Sequence, residues 1–384
     1  MIKILTIIGA RPQIIKAAAL SREIRNNFSN KINEVIVHTG QHYDENMSQV
    51  FFDEMQIPRP DYNLNAGSHS HGKQTAIMIE GIEKIILKEK PQCLVLYGDT
   101  NSTLAGAVAA SKVQVPVVHI EAGLRSFNKL IMPEEINRVM CDHASTLLFS
   151  PTKAGYENLT REGFKEKNTP PYNIDNPQIY HCGDVMYDNS LYFSEIADKK
   201  SGIIQKNDLT GNQFILATIH RNNNTDEPKR LNTLFSCFNN ISKHDNIKIV
   251  LPLHPRTSKL LVQNLAPGLY SEIKTNPLIK ILLPVSFLEM IALEKNARLI
   301  MTDSGGVQKE AFFFKKPCIV LRSETEWVEL VAHGAAIIAD ADEQKIMNAY
   351  NHFKNKKDFL FPPIFGDGKA SEFICDEIIK NIKA

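Results

Sequence analysis

No CxxC pair occurs among the six cysteines, which stand apart at Cys93, Cys141, Cys182, Cys237, Cys318 and Cys375. That spacing argues against a structural zinc cluster. Several of them fall inside apolar runs, so buried free thiols in a reducing compartment are expected. Charge of one sign is also missing: Lys and Arg total 44 against 43 Asp and Glu. No broad basic surface is then available for nucleic acid, and any anion site must be local. No apolar run approaches the ~20 residues of a membrane helix, and the opening MIKILTIIGARP has no cleavage site. A cytoplasmic chain that engages neither membrane nor nucleic acid is expected. GxGxxG is absent, which weakens a dinucleotide reading. No low-complexity tract is visible.

What is present is a repeated rhythm. A length of 384 residues with 43% apolar content suits two hydrophobic cores better than one. Short β-rich runs begin at Lys3, Glu34, Cys93, Val115, Thr146 and Ile179, with amphipathic segments between them. The pattern restarts with runs from Phe214, Ile247, Ile279, Arg298, Pro317 and Ala335. Continuous apolar strands alternating with helices predict α/β architecture, two doubly wound domains of parallel strands covered on both faces. Ligands of such folds lie beyond the carboxyl ends of the strands, so the cleft between the domains is the expected site. Residues 165–178 read as an extended, proline-rich loop. Phe373, Ile374, Ile378, Ile379 and Ile382 give the C-terminal segment one apolar face at helical spacing.

The strand ends carry the chemistry. GARPQIIK places Arg11 and Lys16 near a positive helix N-terminus opened by Pro12. YGDTNST brings Asp99 to a strand end, where an aspartate can also simply cap the next helix. HIEAGLRS brings Glu121 to the neighbouring strand end, and two carboxylates so placed should repel and raise at least one pKa. PEEINR adds Glu134, with Arg138 at i+4 to hold it. In the second half His220 and Arg221 end one strand, His254 and Arg256 the next. In TDSGGVQKE, Ser304, Gly305 and Gly306 lead from strand to helix, where their N–H groups can cradle a diphosphate. Glu310, one turn on, can accept hydrogen bonds from a ribose diol. His69 and His71 lack the acids a metal site needs, and no metal is expected.

Taken in order, GARPQIIK, HTGQHYD, YGDTNSTLAGA, HIEAGLRS, MPEEINR, TIHR, HPR and DSGGVQKEA resemble the non-hydrolysing UDP-N-acetylglucosamine 2-epimerases over essentially the whole chain. The resemblance implies two Rossmann-like domains in the glycosyltransferase B-type arrangement. Residues 1–184 would carry the acid–base groups and 185–367 would bind UDP, with the terminal helix, 368–384, packing back on the first domain. It also implies a homodimer, no cofactor, and a reaction that removes the C2 proton, expels UDP from C1 and adds both back with C2 inverted. Asp99, Glu121, Glu134 and His220 would be catalytic. Arg11, Lys16, Arg138, His254, Ser304, Gly305, Gly306 and Glu310 would bind the UDP-sugar.

Some positions depart from the family pattern. Asn223 stands for a glutamate, and Trp327 for an arginine that touches the nucleotide in many members. Gln41 and His42 keep residues that serve a second, activating UDP-GlcNAc in many bacterial members, while Lys73 stands where an arginine is common. EAGLRSFN, MPEEINR and TEWVE look like the branch acting on UDP-2,3-diacetamido-2,3-dideoxy-glucuronate, a precursor of surface polysaccharide. Arg125, Lys129 and Phe127 would then supply a cation and an apolar wall for the added groups. The rival activities are a glycosyltransferase of the same fold, which would need an acceptor groove, and a nucleotide-sugar sensor, which would need no crowd of acids.

Overall fold

The computed structural model describes residues 1–41, 57–67, 69–130, 132–209, 213–356 and 358–383. Backbone packing divides the chain into two compact units, Met1–Leu191 with Pro363–Ala384, and Tyr192–Pro362.

Among the described residues, the first unit holds seven strands: β1 Ile2–Ile8, β2 Ile32–His38, β3 Tyr62–Asn63, β4 Cys93–Tyr97, β5 Val117–Ile120, β6 Leu147–Ser150 and β7 Gln178–His181. All pair parallel, in the order β3-β2-β1-β4-β5-β6-β7. Ile4, Leu5, Ile7 and Ile8 are wholly buried along β1, as is all of β4. A strand with helices on both faces needs such unbroken apolar runs. The two-residue β3 was not expected, because two residues carry no legible periodicity.

The second unit repeats the plan with β8 Phe214–Thr218, β9 Lys248–Pro252, β10 Ile279–Leu282, β11 Leu299–Thr302, β12 Cys318–Val320 and β13 Ala336–Ile338. Its order is β10-β9-β8-β11-β12-β13, again all parallel. Helix Pro228–Asp245 buries Leu231, Leu234, Phe235, Phe238 and Ile241 at three- and four-residue spacing, with the two phenylalanine rings 5.6 Å apart. Truncating Phe235 to alanine would cost about 3–5 kcal/mol, since the cavity cannot fully collapse.

The α/β reading therefore holds in both units. In each, strand order reverses beside the first strand, between β1 and β4 and between β8 and β11. At such a switch point the adjoining loops diverge and leave room for a ligand. The terminal helix Ala370–Asn381 belongs to the first unit. Its first N–H groups, from Ala370 and Ser371, donate to the Asp188 carboxylate at 3.2 and 2.7 Å. Phe373 meets Phe149 and Tyr180 edge-on. Burial pushes the Cys93 thiol up to about 12, so it behaves as a packing residue. No described helix is long and apolar enough to cross a membrane.

Candidate active site

At the first unit's switch point the loops after β1 and β4 are tied together by Gln13, which sequence reasoning overlooked. It is buried. Its Oε1 accepts from the N–H groups of Gly9 and Ala10 at 2.9 and 3.2 Å, and its Nε2 donates to the Tyr97 carbonyl and Thr103 Oγ1 at 3.0 and 2.9 Å. Four bonds from one amide hold the two crests in fixed register.

Around Gly98, just beyond β4, stand the expected acids. Glu121 pairs with Lys16 in a partly buried ion pair. A Cβ at position 98 would come 3.0 Å from Lys16 Nζ and 3.1 Å from Glu121 Oε2, and the φ there is +64°. Glycine answers both constraints. Glu121 itself has φ +75°, a left-handed conformation costing roughly 1–2 kcal/mol for a residue with a Cβ. The conformation is held because the N–H groups of Glu121 and Ala122 both donate to the Phe149 carbonyl at 3.0 Å. Backbone strain of this kind turns the carboxylate away from the strand direction.

Asp99 is held by Arg138, whose Nε and Nη2 lie 2.9 and 2.6 Å from Asp99 Oδ2. Each acid therefore has its own cation. The expected Arg138–Glu134 contact is not found. Arg138 Nη1 instead bonds Glu135 at 3.0 Å, and Glu134 is exposed in the first helical turn. Glu135 also accepts from the N–H groups of Ser126 and Phe127 at 2.9 and 3.0 Å. Burial alone would raise its pKa, but those donors and Arg138 outweigh it and hold the carboxyl below the ordinary range. The reason is helical phase. Glu135, Arg138 and Asp142 share the buried face of Pro133–His143, and Glu134 lies 100° off it.

A second correction concerns Arg125. Its side chain is 1% exposed and spans Asp142, at 2.7 Å, and Glu162, at 2.7 and 2.6 Å. It is committed to the protein and cannot serve an incoming carboxylate. Asp142 is also bonded by His119 Nδ1 at 2.7 Å, while His119 Nε2 meets the Gly98 carbonyl at 2.8 Å. This buried Arg125–Asp142–His119 chain thus supports the loop that presents Asp99. Lys129 and Phe127 are exposed. Arg11 lies exposed at the start of helix Arg11–Glu23. Gln41 accepts from the N–H and hydroxyl of Ser102 at 3.1 and 2.7 Å, and His42 lies outside the described residues. His71 Nδ1 lies 3.0 Å from the Asn101 amide. Among the described residues no group of three or more His, Cys, Asp or Glu could hold a metal ion.

At the second unit's switch point, the buried residue Asp303 organises the crest. It accepts from the N–H groups of His220 and Arg221 at 3.1 Å, from Asn224 at 3.1 Å, and faces His220 Nδ1 at 3.0 Å. Burial pushes the Asp303 pKa up, but His220 and these donors outweigh it and hold it below the ordinary range. The His220 imidazole, 54% exposed, is thereby oriented by a buried carboxylate, the relation an acid or base needs. Asp303 was missed although it lies between an apolar strand and SGG, where an acid has little to do but orient a neighbour.

Ser304 caps helix Gly305–Phe313. A Cβ at Gly305 would come 2.7 Å from Glu326 Oε1, so a side chain there would displace the wall. Trp327 is buried beneath, its ring 4.3 Å from Lys309 Nζ, and it offers no exposed face for stacking. Glu310 is nearly buried, one turn into the same helix. His254 is exposed and caps its own helix by accepting from the Arg256 N–H at 3.3 Å. Arg256 holds Asp226 with two bonds of 2.6 and 2.7 Å.

The family profile of UDP-N-acetylglucosamine 2-epimerase matches residues 24–379. The chain belongs to this family. A member of it is an isomerase, a non-hydrolysing UDP-sugar 2-epimerase. Over 99% of the chain and all of the relative, it is 46% identical to a "UDP-N-acetylglucosamine 2-epimerase homolog" of Methanococcus maripaludis. Over 98% of the chain and 99% of the relative, it is 46% identical to the UDP-2,3-diacetamido-2,3-dideoxy-D-glucuronate 2-epimerase of Pseudomonas aeruginosa. The crystal structure of Methanocaldococcus jannaschii UDP-GlcNAc 2-epimerase in complex with UDP-GlcNAc and UDP superposes with a TM-score of 0.84 at 42% identity, covering 99% of this chain and 100% of that one.

Proposed function

We propose that the chain inverts C2 of a UDP-activated 2-acetamido sugar, with Asp99 and Glu121 as the proton-transfer groups. The observation that carries the reading is the pair of ion pairs around Gly98, Glu121 with Lys16 and Asp99 with Arg138. Inversion needs an acid–base group on each face of C2, one to take a proton and the other to return one, each held still. One carboxylate takes the C2 proton. The C2–H electrons form the C1=C2 bond as the C1–O bond breaks, and UDP leaves with that electron pair. The second carboxyl then gives its proton to C2 on the other face as the UDP oxygen adds its electron pair to C1, and exchange with solvent returns both carboxyls to their starting states.

The second unit handles the leaving group. Backbone N–H groups of Ser304, Gly305 and Gly306 at a helix N-terminus suit the diphosphate, and His220, set by Asp303, offsets charge as UDP departs. Arg11 and Lys16 add positive charge, Glu310 accepts from the ribose diol, and His254 borders the nucleotide. Glu134, exposed beside the catalytic loop, is the least constrained of the proposed acids.

A second reading takes the 3-acetamido uronate as substrate, favoured by the P. aeruginosa relative at 46% identity. With Arg125 committed, Lys129 is the loop cation left for its carboxylate. We further take the enzyme to act in the cytoplasm as a homodimer, which sedimentation at twice the chain mass would support. Incubation with UDP-GlcNAc and with the diacetamido uronate, each followed by proton NMR, tests both readings. A manno-configured product from either supports epimerisation, and sugar transfer to an added acceptor would contradict it.

A further inference from the structure

Asn224 has no part in the reaction above, yet both N–H groups and both lone pairs of its side-chain amide are engaged. It lies in the short helix Asn222–Thr225, just after His220, and is 1% exposed. Its Nδ2 donates to Asp303 Oδ2 at 3.1 Å and to the Leu321 carbonyl at 2.9 Å. Its Oδ1 accepts two bonds from Arg230, at 3.1 Å from Nε and 2.9 Å from Nη2. Arg230 in turn holds Asp340, with contacts of 2.5 Å to Oδ1 and 3.3 Å to Oδ2. A row of charged and amide groups thus runs from Asp340 through Arg230, Asn224 and Asp303 to His220, all within the second unit.

Donor and acceptor chemistry gives that row a direction. A guanidinium can only donate, so the oxygen of the Asn224 amide must face Arg230 and its NH2 group must face Asp303. The opposite orientation would set donors against Arg230 and an oxygen against a carboxylate, leaving buried groups unmatched. Asp303, whose carboxyl is held below the ordinary range, acts as an acceptor only. Its Oδ2 takes the Arg221 N–H and the Asn224 amide at 3.1 Å, and its Oδ1 stands 3.0 Å from His220 Nδ1. An ionised partner at that distance requires a proton on Nδ1, so the neutral ring carries its lone pair on Nε2. We infer that Asn224 is a positioning residue: with its amide fixed by Arg230, it anchors Asp303 Oδ2 and keeps Oδ1 on His220 Nδ1. That selects the His220 tautomer whose Nε2 is the nitrogen left to take up or give a proton. The inference rests on the reading of His220 as the group that offsets charge on the departing UDP.

The experiment uses the full chain with isotope-labelled histidine rings and reads the tautomer of His220 from nitrogen–proton correlation spectra. Spectra are taken at about pH 9, above the ordinary histidine range, and the His220 signal is assigned by its loss in His220→Asn. Wild type should carry the proton on Nδ1. Asn224→Leu and Arg230→Met should move part of the population to the Nε2–H form. They should lower kcat by about 10-fold and about 3-fold, a fraction of the roughly 10²-fold or more that an acid–base group contributes. KM should stay within about 2-fold, as when the lost interaction is made in the transition state. Arg230→Lys keeps a donor-only group toward the Asn224 oxygen and should restore both tautomer and rate. Arg230 is partly exposed, so its two variants test the role even where Asn224→Leu does not fold. In an Asp303→Asn background, Asn224→Leu should lower kcat no further, because it acts through that carboxylate. An unchanged tautomer in Asn224→Leu or Arg230→Met, equal losses in Arg230→Met and Arg230→Lys, or an additive loss in the double variant would overturn the inference. His220→Asn with wild-type kcat would instead overturn the role of His220 in the reaction, and with it this inference, whatever the tautomer of the ring.

Discussion

Removing Arg138 should reveal which neighbouring glutamate it serves. Its side chain is 8% exposed and that of Glu135 is 1% exposed, so their 3.0 Å contact is barely screened by solvent. A buried hydrogen bond between charged groups contributes about 1.5–3 kcal/mol. Glu135 would keep the Ser126 and Phe127 N–H groups after the change, which places the coupling nearer ~2 kcal/mol than the upper end. Glu134 is exposed one residue away, and an ion pair there would contribute under ~0.5 kcal/mol. The perturbation is a pair of double-mutant cycles, Arg138→Met with Glu135→Gln and Arg138→Met with Glu134→Gln. Native-state hydrogen exchange of the Pro133–His143 amides reads the opening free energy of that helix alone, which avoids assuming one transition for a two-unit chain. Coupling near 2 kcal/mol with Glu135 and near zero with Glu134 is expected. Equal couplings, or the larger one with Glu134, would refute the helical-phase argument and restore Arg138 as the holder of Glu134.

Asp99→Asn and Glu121→Gln should each lower kcat by at least ~10²-fold while leaving UDP affinity, read by calorimetry, within a few-fold of wild type. Arg125→Met should lower the melting temperature without changing relative kcat/KM for the uronate and UDP-GlcNAc. Lys129→Met, by contrast, should lower uronate turnover selectively if the uronate is the substrate. Acid stability has a defined sign at Asp142. Burial raises its pKa, but His119 and Arg125 outweigh this and hold it below the ordinary 3.8. The unfolded chain therefore binds that proton more readily, and the stability gained is complete above about pH 4 and lost as pH falls through the folded value. Asp142→Asn should flatten that acid limb in urea titrations across pH 2–5 (roughly the window in which both states titrate).

The strands were legible because a parallel sheet covered on both faces needs unbroken apolar runs, and Ile4–Ile8 or Cys93–Tyr97 can be little else. The positions of Asp99, Glu121, His220 and Ser304 just beyond strand ends were legible, because each closely follows an unbroken apolar run. What failed was partner choice. Arg125 is claimed by Asp142 and Glu162, 17 and 37 residues away, and no local pattern records such pairs. The choice between Glu134 and Glu135 was recoverable, since Glu135, Arg138 and Asp142 recur at helical spacing. Trp327 looked like a lost nucleotide contact, and its burial under Lys309 depends on packing that composition cannot reveal.

The central claim is that Asp99 and Glu121 move the C2 proton, and solvent exchange tests it most directly. Purified enzyme is given its UDP-sugar in heavy water and the epimerised product is isolated and examined by proton NMR and mass spectrometry. The account predicts deuterium at C2 of the product, because the proton removed on one face is not the one returned on the other. Product with its original hydrogen at C2 would contradict it.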